Sequence, residues 1–221
     1  QPEFTMVEWY RLGMGLEEII DDTVRVIAAA LGDRAPPAAP VCIDYRDALA
    51  EACGIDTEAA SSADLAAAAG ADERLRAAVG DARDDWLDLL LATIVVPAFA
   101  RDRLTVLWHY PASQAALARI CPNDPCVADR FEVFLGDVEL ANGYVELTDA
   151  EEQAARVRRD NAERTGRGQP ARPADECLLA ALDSGLPPCS GVAMGLERLH
   201  MIHDNTGDIS DVLTFGFTGD A

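Results

Sequence analysis

The stretch Phe131-Glu-Val-Phe-Leu-Gly-Asp-Val-Glu-Leu-Ala-Asn-Gly-Tyr-Val-Glu-Leu147 decides the fold. Apolar and polar residues alternate on both sides of Gly136-Asp137, so residues 130–135 and 138–147 are expected to pair as an antiparallel hairpin about that turn. Near the carboxyl end, Gly191-Val-Ala-Met-Gly-Leu-Glu-Arg198 reads as a buried strand over 190–194 that runs into a helix over 196–203.

Outward from these two segments, residues 4–10 form an aromatic-rich strand. Leu16, Ile19, Ile20, Val24, Ile27 and Leu31 then keep helical spacing, with Gly32 as the stop. Residues 35–40 are a proline-rich loop. From 44 to 96 the chain is alanine-rich, and Gly54, Gly70 and Gly80 divide it into helices over 45–53, 63–69, 72–79 and 84–95. This block is expected to be a helical insertion beside the main sheet. A strand at 104–110, a short helix at 113–120 and helices at 150–163 and 176–183 complete the pattern. No internal repeat is visible. The expected class is α+β, an antiparallel sheet flanked by helices, with residues 1–221 in one domain.

Composition narrows the function. The 221 residues carry 39 acidic and 18 basic side chains, a formal charge of −21. Every basic residue is arginine, which excludes a P-loop lysine and a Schiff-base lysine. A field of that sign opposes general nucleic-acid binding. No apolar run reaches membrane-spanning length, and residues 86–96 are interrupted by Asp88. The start of the chain has no basic, then apolar, leader pattern. The six cysteines contain no Cys-x-x-Cys pair and are expected to be reduced cytosolic thiols. Cys121 and Cys126 have no histidine close in sequence. His109, His200 and His203 show no metal spacing, so no zinc site is expected.

Two groups of residues carry chemistry. Glu139 and Glu146 could hold Mg²⁺ against phosphates or neutralise an ammonium group. Strict alternation places residues seven apart on opposite faces, and a bulge at Asn142-Gly143 would bring Glu146 back to the face of Glu139. Taken alone, the pair reads as two surface glutamates on a strand. Gly191 and Gly195 leave room for a planar ring against the backbone, and Arg198 at the helix start could clamp phosphate or stack on a base.

In this order, the Glu-Leu-Ala-Asn-Gly hairpin and the glycine-flanked strand ending in Arg198 resemble the second half of motif 2 and motif 3 of class II synthetases. The resemblance is to the lysyl-tRNA synthetases, and more closely to their short paralogues, the ligases that attach β-lysine to elongation factor P. It covers essentially the whole chain, including Tyr110-Pro-Ala-Ser-Gln114 and residues 148–169. It implies ATP and Mg²⁺ as cofactors, β-lysine or lysine as substrate, elongation factor P as acceptor, a homodimer, and a cytoplasmic location without membrane or tRNA partners. It also implies roles. Gln1, Glu139, Leu140, Gly195 and Arg198 would meet ATP, Glu139 through Mg²⁺, with Glu139 and Arg198 catalytic. Tyr10, Asn142, Glu146 and Ala193 would meet the amino acid, Glu146 taking its amine. Ala193 stands where the tRNA enzymes tend to carry glycine, and its methyl group suits a β-amino substrate.

The pattern departs from the family in two ways. The motif 1 helix and strand, and the motif 2 arginine, belong ahead of Gln1, so an incomplete chain is expected. Glu197 stands where close relatives often have Asp. A stand-alone lysyl-tRNA synthetase and an inert synthetase-like binding subunit are the alternatives.

Overall fold

A computed structural model describes residues 3–216. Its elements run β1 (Met6–Leu12), α1 (Leu16–Leu31), β2 (Val41–Asp44), α2 (Tyr45–Cys53), α3 (Ser62–Ala68), α4 (Glu73–Val79) and α5 (Arg83–Leu90). They continue with β3 (Leu104–Trp108), β4 (Arg130–Leu135), β5 (Val138–Val145), α6 (Ala150–Gly166), α7 (Glu176–Asp183), β6 (Cys189–Gly195) and α8 (Leu196–Asp204). The strands form one sheet in the order β1-β6-β5-β4-β3-β2.

Helix α1 begins and ends where its apolar spacing does. Glu18 accepts from the amide of Gly15 at 2.8 Å, and Gly32 leaves the helix at φ 54°. Its face of Ile19, Ile20, Ile27 and Leu31 packs on Val106, Phe131, Val133, Val192 and Met194, which all point to one side of the sheet. Helices α2 to α5 bury Tyr45, Leu49, Leu65, Trp86 and Leu87 against Leu107 and Phe134 on the opposite side. The glycines between these helices, Gly54, Gly70 and Gly80, all have positive φ, which is why glycine stands at each break. This second layer covers the β2–β4 end of its face. The β5-β6-β1 end of the same face stays open, and the candidate site lies there.

Three expectations need correction. The sheet is mixed, because Val41–Asp44 forms a strand that pairs parallel with β3. Four residues behind a proline-rich loop are too short a run for alternation to register. Residues 113–120 are not a helix: only Ala112–Gln114 makes a single 3₁₀ turn. Beyond it, Arg119 N donates to Val145 O and Leu147 N to Leu117 O, so the sheet takes the backbone groups a helix would need. The bulge lies at Leu140 rather than at Asn142-Gly143. Val133 pairs with Ala141 and Phe134 with Glu139, leaving Leu140 as the extra residue. Leu140 turns inward into the core at 1 % exposure, and burying that side chain sets the bulge there.

Gly143 is confined by packing. A Cβ there would sit 2.6 Å from Phe131 Cζ and 2.9 Å from Gly191 O. Gly143→Ala is therefore expected to lower stability by about 1–3 kcal/mol, read as a lower urea midpoint at unchanged m.

Candidate active site

The shifted bulge decides which side chains meet. With Leu140 turned inward, Glu139 shares a face with Asn142, Tyr144 and Glu146. The register adds Glu132 from β4, Gly191, Ala193 and Gly195 from β6, and Met6, Glu8 and Tyr10 from β1. Glu139 and Arg198 are in contact, the Arg198 Nη1 group donating to the Glu139 carbonyl at 3.0 Å and to Oε2 at 3.1 Å. Together they border a cleft of about 450 Å³ lined by Phe4, Met6, Asn142, Ala193 and Gly195. Leu140 reaches this cleft as well, at the bulge. The atoms nearest to a Cβ on Gly195 would be those of the Arg198 side chain, from 3.6 Å, and glycine leaves the floor of the cleft bare there. At the rim, both carboxylate oxygens of Glu197 accept from Thr5 N, at 2.9 and 2.8 Å, and tie the chain carrying Phe4 to the start of α8. Gln1, singled out from the sequence, lies outside the described residues.

The sequence does not single out Glu132 and Arg130, yet they sit in the middle of the face. The Glu132 Oε1 atom accepts from Arg130 Nη2 at 2.6 Å and from Asn142 Nδ2 at 3.1 Å, so Asn142 is held by a partner as it faces the cleft. Burial pushes Glu132 above the usual carboxylate range against the opposing Arg130 charge, and the charge of Glu139 adds to the rise. The Arg130 guanidinium lies 4.3 Å over the Tyr110 ring. The available signal was parity: Arg130, Glu132 and Phe134 alternate with buried Phe131 and Val133.

Glu146 occupies the far end of the face. Burial raises its pKa to about 7. It stands beside Tyr10, whose hydroxyl is raised by burial and by the charge of Glu146. A Cβ on Gly191 would fall 2.6 Å from Glu146 Oε1 and 2.7 Å from Tyr10 Cε1, so glycine lets the two side chains close on one another.

A shared cation between Glu139 and Glu146 does not fit this geometry. Six strand steps past the bulge separate them by on the order of 20 Å, far more than two glutamate side chains can close. Glu132 lines a cavity together with Glu139 and Arg198 and is a carboxylate that could join Glu139 around a divalent ion. Two hard oxygen donors beside an arginine suit a metal carrying phosphate oxygens.

The sequence profile of class II tRNA synthetases (D, K and N) matches residues 1–219. The chain belongs to that family. Within it, the chain is similar to proteins named elongation factor P–(R)-β-lysine ligase. It is 40 % identical to that of Mannheimia succiniciproducens over 97 % of this chain. It is 42 % identical to those of Klebsiella pneumoniae and Sodalis glossinidius over the same share. In each case it spans 65 % of the relative's length, just under two thirds. As a class II synthetase domain it has the α+β architecture expected from the sequence. Among the described residues, no helix is long and apolar enough to cross a membrane.

Gly191 offers a direct test of the Glu146 end of this class II site. Gly191→Ala is expected to raise the KM for any substrate held between Glu146 and Tyr10 about tenfold or more at nearly unchanged melting temperature. The added methyl displaces two half-exposed side-chain ends rather than backbone.

Proposed function

We propose that this chain is the catalytic part of a ligase that activates (R)-β-lysine with ATP and transfers it to a lysine of elongation factor P. The observation that carries the proposal is the common face. A phosphate-directed pair, Glu139 and Arg198, and an ammonium-directed pair, Glu146 and Tyr10, stand at opposite ends of β5, with Asn142 and Ala193 between them. In the first step the substrate carboxylate attacks the α-phosphorus of ATP. An acyl-adenylate forms and pyrophosphate leaves. In the second, the acceptor amine attacks the acyl carbon and releases AMP.

Each residue has a distinct task. Glu146 and Tyr10 take the cationic side of the amino acid. Asn142, oriented by Glu132, faces its carboxylate. Arg198 offsets negative charge on the phosphates, and Gly195 and Leu140 line the nucleotide. Glu132 and Glu139 would hold Mg²⁺, which supplies charge neutralisation on the departing phosphates. The Ala193 methyl narrows the floor where an α-amino group would sit and favours a β-amino group. Beside Glu132 a second cavity of about 750 Å³ is lined by Asp84, Asp88, Glu152, Asp160 and Glu163 against Arg130, Arg156 and Arg159, a net acidic edge that suits the approach of a cationic acceptor. A net charge of −21 sets the same preference against tRNA. The family resemblance supports a homodimer in the cytoplasm.

Pyrophosphate exchange by the full-length protein tests the proposal. Exchange is expected to be faster with (R)-β-lysine than with α-lysine, followed by a mass increase on elongation factor P that matches one β-lysyl group. Exchange with neither amino acid, or acylation of tRNA instead, would overturn it.

A further inference from the structure

The connection between β3 and β4 gathers a second set of ligand-type side chains on the other side of the sheet, away from the adenylate face. His109 closes β3, Cys121 lies in mid-connection and Asp129 immediately precedes β4. One ligand atom from each lies within 4.8 Å of the other two. The sequence spacing gave no hint of this, since the three come together only because the connection folds back on itself. Ile120 bridges to Ala128, and Cys121 N donates to Val127 O.

We propose that His109, Cys121 and Asp129 form a zinc site with an open fourth position. Tetrahedral zinc needs ligand atoms roughly 3.3–3.8 Å apart at bond lengths of about 2.0–2.3 Å, so the observed grouping closes by about 1.5 Å or less. The donor set of imidazole, thiolate and carboxylate is the mixed N, S and O set zinc takes, and its two negative charges balance one Zn²⁺.

The surroundings are built for a ligand rather than a loose surface cluster. Asp44 Oδ2 lies 2.9 Å from His109 Nδ1. A carboxylate there draws the imidazole proton to Nδ1 and leaves the Nε2 lone pair for metal, the outer-sphere arrangement that orients zinc-bound histidines. The ring is fixed from its flat side by Trp108, stacked at 4.3 Å between centroids. Asp129 is 4 % exposed, an unusual position for a carboxylate. The donors from Arg119, Nε and Nη2, both go to its Oδ2 atom, so the other oxygen can turn to a metal. All three side chains line one open cavity of about 550 Å³, which gives an ion its entry path and a water its place as fourth ligand.

Such an ion would pin the connection at both ends and in its middle. The same segment touches the amino-acid end of the catalytic face, because Ala118 bridges to Glu146 and Arg119 N donates to Val145 O. Zinc at this site therefore steadies the strand that carries Glu146 and adds thermal stability as any ligand of the folded state does.

Cobalt titration of the untagged, metal-stripped, full-length protein provides the test. One equivalent of Co²⁺ is expected to produce a thiolate-to-cobalt charge-transfer band, and Zn²⁺ to displace it while raising the melting temperature. Cys121→Ser should abolish the band and weaken zinc at least a hundredfold. Cys126→Ser, five residues away, should leave both unchanged. Asp44→Asn should keep the band but weaken zinc about ten- to a hundredfold. X-ray absorption of the wild-type zinc protein, which depends on no variant folding, should show one sulfur and otherwise nitrogen and oxygen neighbours. A sulfur-free first shell, no one-equivalent band, or equal losses in the Cys121 and Cys126 variants would overturn the proposal.

Discussion

Replacing Arg198 with alanine is expected to cut pyrophosphate exchange about a hundred- to a thousandfold and to leave the fold nearly as stable as before. Both halves follow from where the side chain sits. Its guanidinium is half exposed and its pair with Glu139 is partly solvated, so the structural loss is that of a surface ion pair, about 1 kcal/mol or less. Its position in the lining of the cleft, beside Gly195 and against the Glu139 carbonyl, sets its positive charge next to whatever lies on the floor. Negative charge that develops on a pentavalent phosphorus is stabilised by such fixed donors, and removing one costs two to three powers of ten. Arg198→Lys should recover little, because a point charge cannot meet the Glu139 backbone and a phosphate with the same planar fork. Exchange kinetics with matched thermal melts are the measurement. A variant retaining more than a tenth of wild-type exchange would remove Arg198 from the reacting centre.

Most of the fold was legible because its elements are long and periodic. α1 occupies 16–31 as its apolar spacing dictates, and β4 and β5 meet at Gly136-Asp137 as the alternation requires. Failures cluster where tertiary partners override local preference. Residues 113–120 have helix-forming composition, yet their amides and carbonyls are used by the end of β5. Residues 41–44 are a strand only because β3 lies beside them. In the site, the residue types of the hairpin and of the strand before α8 suggested the chemistry, but not that Glu132 shares the face of Glu139. That required knowing which residue is turned inward at the bulge. The sequence pointed to Asn142-Gly143, and only the packing of Leu140 in the core puts the bulge at Leu140 instead. The His109, Cys121 and Asp129 grouping was illegible for a related reason: separations of 12 and 8 residues fit no local ligand pattern and close only through the path of the connection.

Substrate affinity should rise with pH through about 7, and Glu146→Gln should abolish the rise while increasing KM about ten- to a hundredfold. Burial raises the Glu146 carboxyl from its ordinary 4.5 to about 7 in the free protein. In the proposed function a β-lysine ammonium would bind the carboxylate form, and its own amines stay protonated well above that pH. Affinity at pH 6 is thus expected to be about tenfold weaker than at pH 8, with the proton on the protein responsible. Loss of a charge-assisted hydrogen bond to an ammonium accounts for the size of the KM effect in the glutamine variant. Stability moves in the opposite direction. Below about 4.5 the carboxyl is protonated in both folded and unfolded chains. Between 4.5 and 7 only the folded chain keeps the proton, so folding loses stability as pH rises and levels off once 7 is passed. Glu146→Gln has no proton to lose, and relative to the wild type it should gain stability between pH 5 and pH 8 while it loses affinity. A residue whose removal helps the fold and harms binding over the same pH interval is positioned for its ligand. A pH-independent KM in the wild type, or a KM for Glu146→Gln that still falls tenfold from pH 6 to pH 8, would place the titrating group elsewhere.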